Sequence, residues 1–192
     1  LKKEILYISN LISLSRFVLL IICVLFLLNS NYLYGLIFLL LIWLSDLLDG
    51  YFARKLNQIS ELGKIIDPIA DKVTVITIVL ILLFKNIIPL WFIIIVISRD
   101  ILILLGGLYL KVKKNIVLQS NIIGKVTVFF IGTALFFAIL LKGAKLRQFG
   151  DFLFYHNEIT ELLYIVLLFI SIAMSFISVF TYFKQFLKNL TI

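Results

Sequence analysis

Apolar runs of membrane-span length, broken only by short polar joints, recur from one end of this sequence to the other. They fall at about 11–28, 32–54, 66–84, 88–110, 122–141 and 160–183. The hydrocarbon layer of a bilayer needs about 20 apolar residues of helix to cross it. Helix is the form required because each backbone polar group must then be satisfied inside its own segment. Composition agrees: 63% of the 192 residues are hydrophobic, 15% are charged and the mean hydropathy is +1.18. A soluble domain is roughly half apolar and a quarter charged, which excludes a water-soluble globular enzyme. Disorder is excluded by the same hydrophobicity. The expected fold is an all-α membrane protein with six transmembrane helices in a single domain over 1–192. No repeat and no linker divides it.

Residues 1–10, with Lys2, Lys3 and Glu4 followed by Ile5, Leu6, Tyr7 and Ile8, read as a short interfacial amphipathic helix feeding the first span. No small-residue cleavage site follows that span, so it is expected to be retained and not removed as a signal peptide. The net charge of +8 lies in the joints between apolar runs. Anionic lipid headgroups or anionic substrates are therefore the expected partners, and nucleic acid is not. Lys2, Lys3, Arg54, Lys55, Lys64, Lys111, Lys113, Lys114, Lys184 and Lys188 fall in one set of joints, and Lys85, Lys142, Lys145 and Arg147 in the other. The richer set is expected to be cytoplasmic, which puts both termini inside. The segment 142–159 is then an external solvated loop, in preference to a metal site built on Asp151, His156 and Glu158. Cys23, in the first run, reads as a small core residue.

The second and third spans carry acids where apolar residues are expected. Asp46, Asp49, Asp67 and Asp71 account for four of the ten acidic residues in the chain. A carboxylate at membrane depth costs roughly 2.5–3.5 kcal/mol and usually marks a function. Asp46, Asp49, Gly50 and Ala53 follow i, i+3, i+4, i+7, and Gly63, Asp67 and Asp71 follow i, i+4, i+8, so each set shares one helix face. The two helices are consecutive and antiparallel, and their cytoplasmic ends can bring the carboxylates around one pocket. Such a cluster needs cations, and all-oxygen donors suit a hard divalent ion, Mg²⁺ or Mn²⁺, with room for two. Gly50, Ala53 and Gly63 would let a ligand approach the backbone closely. Two other readings remain open here. One is a pair of helices ion-paired through Arg54, Lys64 and Lys72. The other is a divalent-cation channel or transporter, although such carboxylates usually lie near the bilayer midplane on broken helices.

Written out, the segment is Asp46-x2-Asp49-Gly50-x2-Ala53-Arg54-x8-Gly63-x3-Asp67-x3-Asp71. It resembles the complete signature of the CDP-alcohol phosphatidyltransferases. Eight fixed residues at about 5% usage give a chance match on the order of 10⁻¹⁰ per start position. The resemblance implies a six-helix membrane enzyme, a homodimer, with its site open to the cytoplasm. It implies transfer of a phosphatidyl group from CDP-diacylglycerol to an alcohol with release of CMP. By the same resemblance Asp46, Asp49 and Asp67 are metal ligands, and Asp71 shares the metals and acts as general base. Gly50, Ala53, Arg54 and Gly63 belong to the nucleotide end of CDP-diacylglycerol, with Ser60 in the connecting loop. The stretch Ser9-Asn10-Leu11-Ile12-Ser13-x2-Arg16 resembles the pattern that opens the first span in this family, and is assigned to the same substrate.

The acceptor side is read from the cations. The chain has 14 lysines and 4 arginines, and Arg16, Arg54 and Arg99 lie within or at the edge of helices near the expected pocket. Arginine there suits bidentate phosphate recognition. Ser98-Arg99-Asp100 resembles the cardiolipin synthase branch of the family. Ile123-Gly124-Lys125-Val126-Thr127 resembles the phosphatidylglycerophosphate synthase branch, with Val126 where that branch has a second lysine. Arg16, Arg99, Lys111, Lys113, Lys114 and Lys125 are the expected acceptor-binding set. Glycerol 3-phosphate is the leading acceptor, and phosphatidylglycerol the alternative.

Overall fold

The computed structural model of the chain describes residues 8–55, 61–114 and 121–190. Among these, all regular structure is helical. The order is α1 (Ile8–Leu28), α2 (Tyr32–Lys55), α3 (Glu61–Phe84), α4 (Leu90–Lys114), α5 (Ile122–Lys145), α6 (Asp151–Tyr155) and α7 (Asn157–Leu190). Each of the six apolar runs forms a helix. The interfacial helix expected at the N-terminus falls mostly outside the described residues.

The span count differs from the six expected. Among the described residues, four helices are long and apolar enough to cross a membrane, over Tyr32–Asp49, Leu90–Lys114, Ile122–Lys145 and Asn157–Asn189. α1 and α3 offer shorter apolar stretches, Leu14–Leu28 and Lys72–Phe84. Most side chains of the first turns of α1 and α3 lie outside the described residues, and these stretches begin after them.

The chain divides into two compact units, Leu1–Lys85 with Lys142–Phe154, and Asn86–Leu141 with Tyr155–Ile192. In the first unit α1 packs against α2 and α3. Arg16, Leu20, Cys23 and Leu27 are buried and recur at i, i+4, i+7, i+11, one stripe of the helix. The opposite face of α1 presents Val18, Ile21 and Leu25 outward. A helix that is apolar on both its packed and its exposed face is in keeping with a membrane protein. Cys23 is buried as expected, its thiol 3.3 Å from the Gly35 carbonyl. A Cβ at Gly35 would run into the Leu27 side chain, so this glycine permits the close α1–α2 approach.

The turn between those helices holds Ser30 at φ 58°. Asn31 then caps α2 by accepting from the Tyr34 amide at 3.4 Å. The segment expected as an external solvated loop turns back on this corner. α5 runs on to Lys145, Gly150 turns at φ 84°, and α6 follows. Gln148 Oε1 accepts from the Tyr32 and Leu33 amides at 2.6 and 3.3 Å, and its Nε2 donates to the Ser30 carbonyl at 2.6 Å. The Arg147 guanidinium lies 4.1 Å from the Phe154 ring centre. Thus the Arg147–Phe154 contact and an amide that satisfies the start of α2 order a segment whose charges alone suggested a loop.

In the second unit α4 packs against α7. Leu168, Ser171, Ser175 and Ser178 form the buried stripe of α7. Small hydroxyl residues of this kind let membrane helices approach closely. The Ser171 and Ser175 hydroxyls donate back to their own helix, to the Leu168 and Ser171 carbonyls. Thr127 of α5 is fully buried, and its hydroxyl lies 2.7 Å from the Ile123 carbonyl and 3.1 Å from that of Met174. Gly106 leaves an apolar groove of about 290 Å³ against Val179, Phe183 and Phe186.

Candidate active site

Asp46 and Asp49 stand one turn apart near the C-terminal end of α2, and α1 delivers Arg16 to both. Arg16 Nη1 donates to Asp46 Oδ1 at 2.8 Å and Nη2 to Asp49 Oδ2 at 2.6 Å. The register is a consequence of the turn at 29–31, since Arg16 and the two acids lie at similar chain distances on either side of it. The Arg16 side chain is 1% exposed, Asp49 6% and Asp46 41%. One guanidinium thus bridges two carboxylates. Its Asp46 side is open.

Arg16, expected in the acceptor-binding set, meets these two acids, while the side chains of Arg54 and Lys64, expected partners in the ion-paired reading, lie outside the described residues. The signal that finds the Arg16 contact is its place on the Leu20–Cys23–Leu27 stripe, which points it at α2 or α3.

Asp67 and Asp71 lie on α3, and their side chains are outside the described residues. The same holds for the side chains of Ser9, Asn10 and Leu11 on α1, of Gly50, Ala53 and Arg54 on α2, and of Gly63 on α3. Ser60 falls outside altogether, and Ile12 is half-buried on α1. Among the described residues no group of three or more His, Cys, Asp or Glu side chains gathers as a metal site, at Asp151, His156 and Glu158 or elsewhere. The Asp46–Asp49 pair supplies adjacent carboxylate oxygen donors. That donor chemistry fits a hard divalent cation.

A second polar cluster lies within the other unit. Arg99, buried on α4, donates from Nη1 to Asp100 Oδ1 at 2.5 Å and from Nη2 to Ser178 Oγ at 2.9 Å. Nη2 also lies 3.5 Å from the Gly124 carbonyl. The Ser98-Arg99-Asp100 and Gly124-Lys125 motifs are thereby neighbours. Arg99 Nε is buried and has no hydrogen-bond partner among the described residues. Lys125 is exposed on α5, and Lys111, Lys113 and Lys114 are exposed in the last turn of α4. Those three lysines begin about 18 Å farther along the helix axis than Arg99, so they do not share its contacts. Asn121, Ser178, Thr181 and Tyr182, which surround Arg99 and the start of α5, were not singled out in the sequence.

A family model described as CDP-alcohol phosphatidyltransferase matches residues 6–177. The chain belongs to this family. The expected resemblance is borne out, and with it an enzyme of phospholipid biosynthesis. This CDP-alcohol phosphatidyltransferase is 40% identical over 131 residues to a protein of Aquifex aeolicus named CDP-diacylglycerol–glycerol-3-phosphate 3-phosphatidyltransferase. That stretch covers 67% of this chain and 72% of the relative. A Bacillus subtilis protein of the same name is 39% identical over 83 residues, 43% of this chain and 42% of the relative. A Streptomyces coelicolor protein named cardiolipin synthase (CMP-forming) is 32% identical over 111 residues, 58% of this chain and 52% of the relative.

Proposed function

We propose that the protein transfers the phosphatidyl group of CDP-diacylglycerol to glycerol 3-phosphate. The observation that carries the transfer is the Asp46–Asp49 pair, held by Arg16 inside the family motif. The acceptor rests on the buried Arg99, whose Nε lacks a partner, and on the names of the Aquifex and Bacillus relatives. The new bond joins the acceptor oxygen to the phosphorus that carries the diacylglycerol. The bond broken runs from that phosphorus to the bridging oxygen, which leaves on CMP. Asp71 takes the proton of the attacking hydroxyl. Asp46, Asp49, Asp67 and Asp71 would hold two Mg²⁺ or Mn²⁺ ions. Such ions, when bound, offset the charge of the diphosphate and of departing CMP. Arg16 fixes the carboxylates of Asp46 and Asp49 in one orientation, and the motif residues Gly50, Ala53, Arg54, Ser60 and Gly63, with Ser9 to Ile12, take the donor. Arg99 holds the acceptor phosphate, and Lys111 and Lys125 add positive field. In this reading all six long helices span the membrane, α1 and α3 by way of their polar first turns at the interface. Both termini and the site are cytoplasmic, and the enzyme is a homodimer.

A second acceptor, phosphatidylglycerol, is favoured by Ser98-Arg99-Asp100 and by the Streptomyces relative. The test supplies purified protein with labelled CDP-diacylglycerol and each acceptor separately. Labelled phosphatidylglycerol phosphate supports the first reading, and labelled cardiolipin supports the second. Label in neither lipid rejects both.

A further inference from the structure

Arg99 is held by one side chain that its own motif does not contain, Ser178. Its Nη2 has two neighbours, the Ser178 hydroxyl at 2.9 Å and the Gly124 carbonyl at 3.5 Å. The second is at the limit of a hydrogen bond, so the hydroxyl is the stronger hold. Asp100, which takes Nη1, has a side chain 60% exposed and adjoins Arg99 in the chain, and it can move with solvent. Ser178 is fully buried on α7.

Behind Ser178 the contacts close into a ring. Thr181 Oγ1 donates to the Ser178 carbonyl at 2.8 Å, and Asn121 Nδ2 donates to Thr181 Oγ1 at 3.2 Å. Asn121 Oδ1 accepts from the Gly124 amide at 2.6 Å, capping α5, and the Asn121 amide donates to Tyr182 Oη at 3.2 Å. A Cβ at Gly124 would stand 3.0 Å from Tyr182 Oη, so the tyrosine closes on the backbone there. The ring returns to Arg99 through the Gly124 carbonyl. Ser178 also differs from Ser171, seven residues earlier on the same stripe, whose hydroxyl donates to its own helix at the Leu168 carbonyl.

We propose that Ser178 is the positioning residue of Arg99. Its hydroxyl, on a backbone that Thr181 and Asn121 tie to the start of α5, fixes the guanidinium so that Nε remains available to an oxygen of the acceptor phosphate. This rests on the reading that Arg99 serves the acceptor. Ser178 lies one residue beyond the family match, and it acts through Arg99 without touching substrate.

The test measures saturation curves for glycerol 3-phosphate and for CDP-diacylglycerol in Ser178→Ala, Ser171→Ala, Arg99→Lys and the Ser178→Ala/Arg99→Lys double variant. Loss of a hydrogen bond to a charged group predicts roughly a tenfold rise in acceptor KM for Ser178→Ala. kcat and the CDP-diacylglycerol curve should stay at wild type, as should both curves of Ser171→Ala. In the Arg99→Lys background, Ser178→Ala should add little, because both changes remove the same contact. A Ser178→Ala acceptor curve like that of Ser171→Ala overturns the proposal while leaving Arg99 in place. So does an undiminished effect in the Arg99→Lys background, or equal weakening of both substrates. A wild-type acceptor curve for Arg99→Lys rejects the acceptor role of Arg99 and the proposal with it.

Discussion

A guanidinium with 1% exposure can sit on the apolar stripe of α1 only if its charge is met, and Asp46 and Asp49 meet it at 2.8 and 2.6 Å. The acids were legible in the sequence because carboxylates inside span-length apolar runs are rare. The Arg16 contact was not, since it depends on the register of α1 against α2, which no local spacing contains. Removing one member of a buried pair strands the other charge. Arg16→Ala should therefore cost about 3 kcal/mol, the low end for such pairs because Asp46 is 41% exposed. Thermal unfolding in detergent reads this, and an unchanged midpoint would show that the pair contributes nothing. Asp71→Asn should abolish turnover while retaining much of the CDP-diacylglycerol binding, because the base is lost while three carboxylates remain to hold metal. Near wild-type turnover in that variant would remove Asp71 from the chemistry.

At the scale of elements, the apolar runs were read correctly as helices because each is about long enough to cross a bilayer and must then satisfy its backbone polar groups within its own segment. The ends were harder. α3 starts at Glu61, where 66 was expected, since Glu61 to Ile65 mix polar and apolar residues without marking a boundary. α6 was missed because five residues carry too little periodicity, and its order comes from contacts distant in sequence. Gln148 is the main one, satisfying the first amides of α2 from more than a hundred residues away. Gln148→Ala should orphan those amides and cost about 1–3 kcal/mol. The site is at the other end of α2, so kcat and both KM values should hold while the unfolding midpoint falls. A loss of activity without a loss of stability would contradict this separation.

For the whole molecule, the exposed apolar faces of α1 and its neighbours and the four span-length helices describe a protein at home in a bilayer. Hydropathy made that legible at once, whereas the contacts around Arg99, on which the proposed acceptor rests, are not defined by the motifs alone. Chelation followed by return of Mg²⁺ should abolish and then restore turnover, because clustered carboxylates repel a diphosphate unless cations intervene. Full activity after chelation would reject the metal reading. The most direct measurement of the central claim is CMP release by the purified protein in vesicles containing CDP-diacylglycerol, with and without glycerol 3-phosphate. The account predicts CMP only when the acceptor is present, matched mole for mole by phosphatidylglycerol phosphate. CMP release indifferent to the acceptor, or metal-dependent ion flux across the vesicle with no CMP at all, would contradict it.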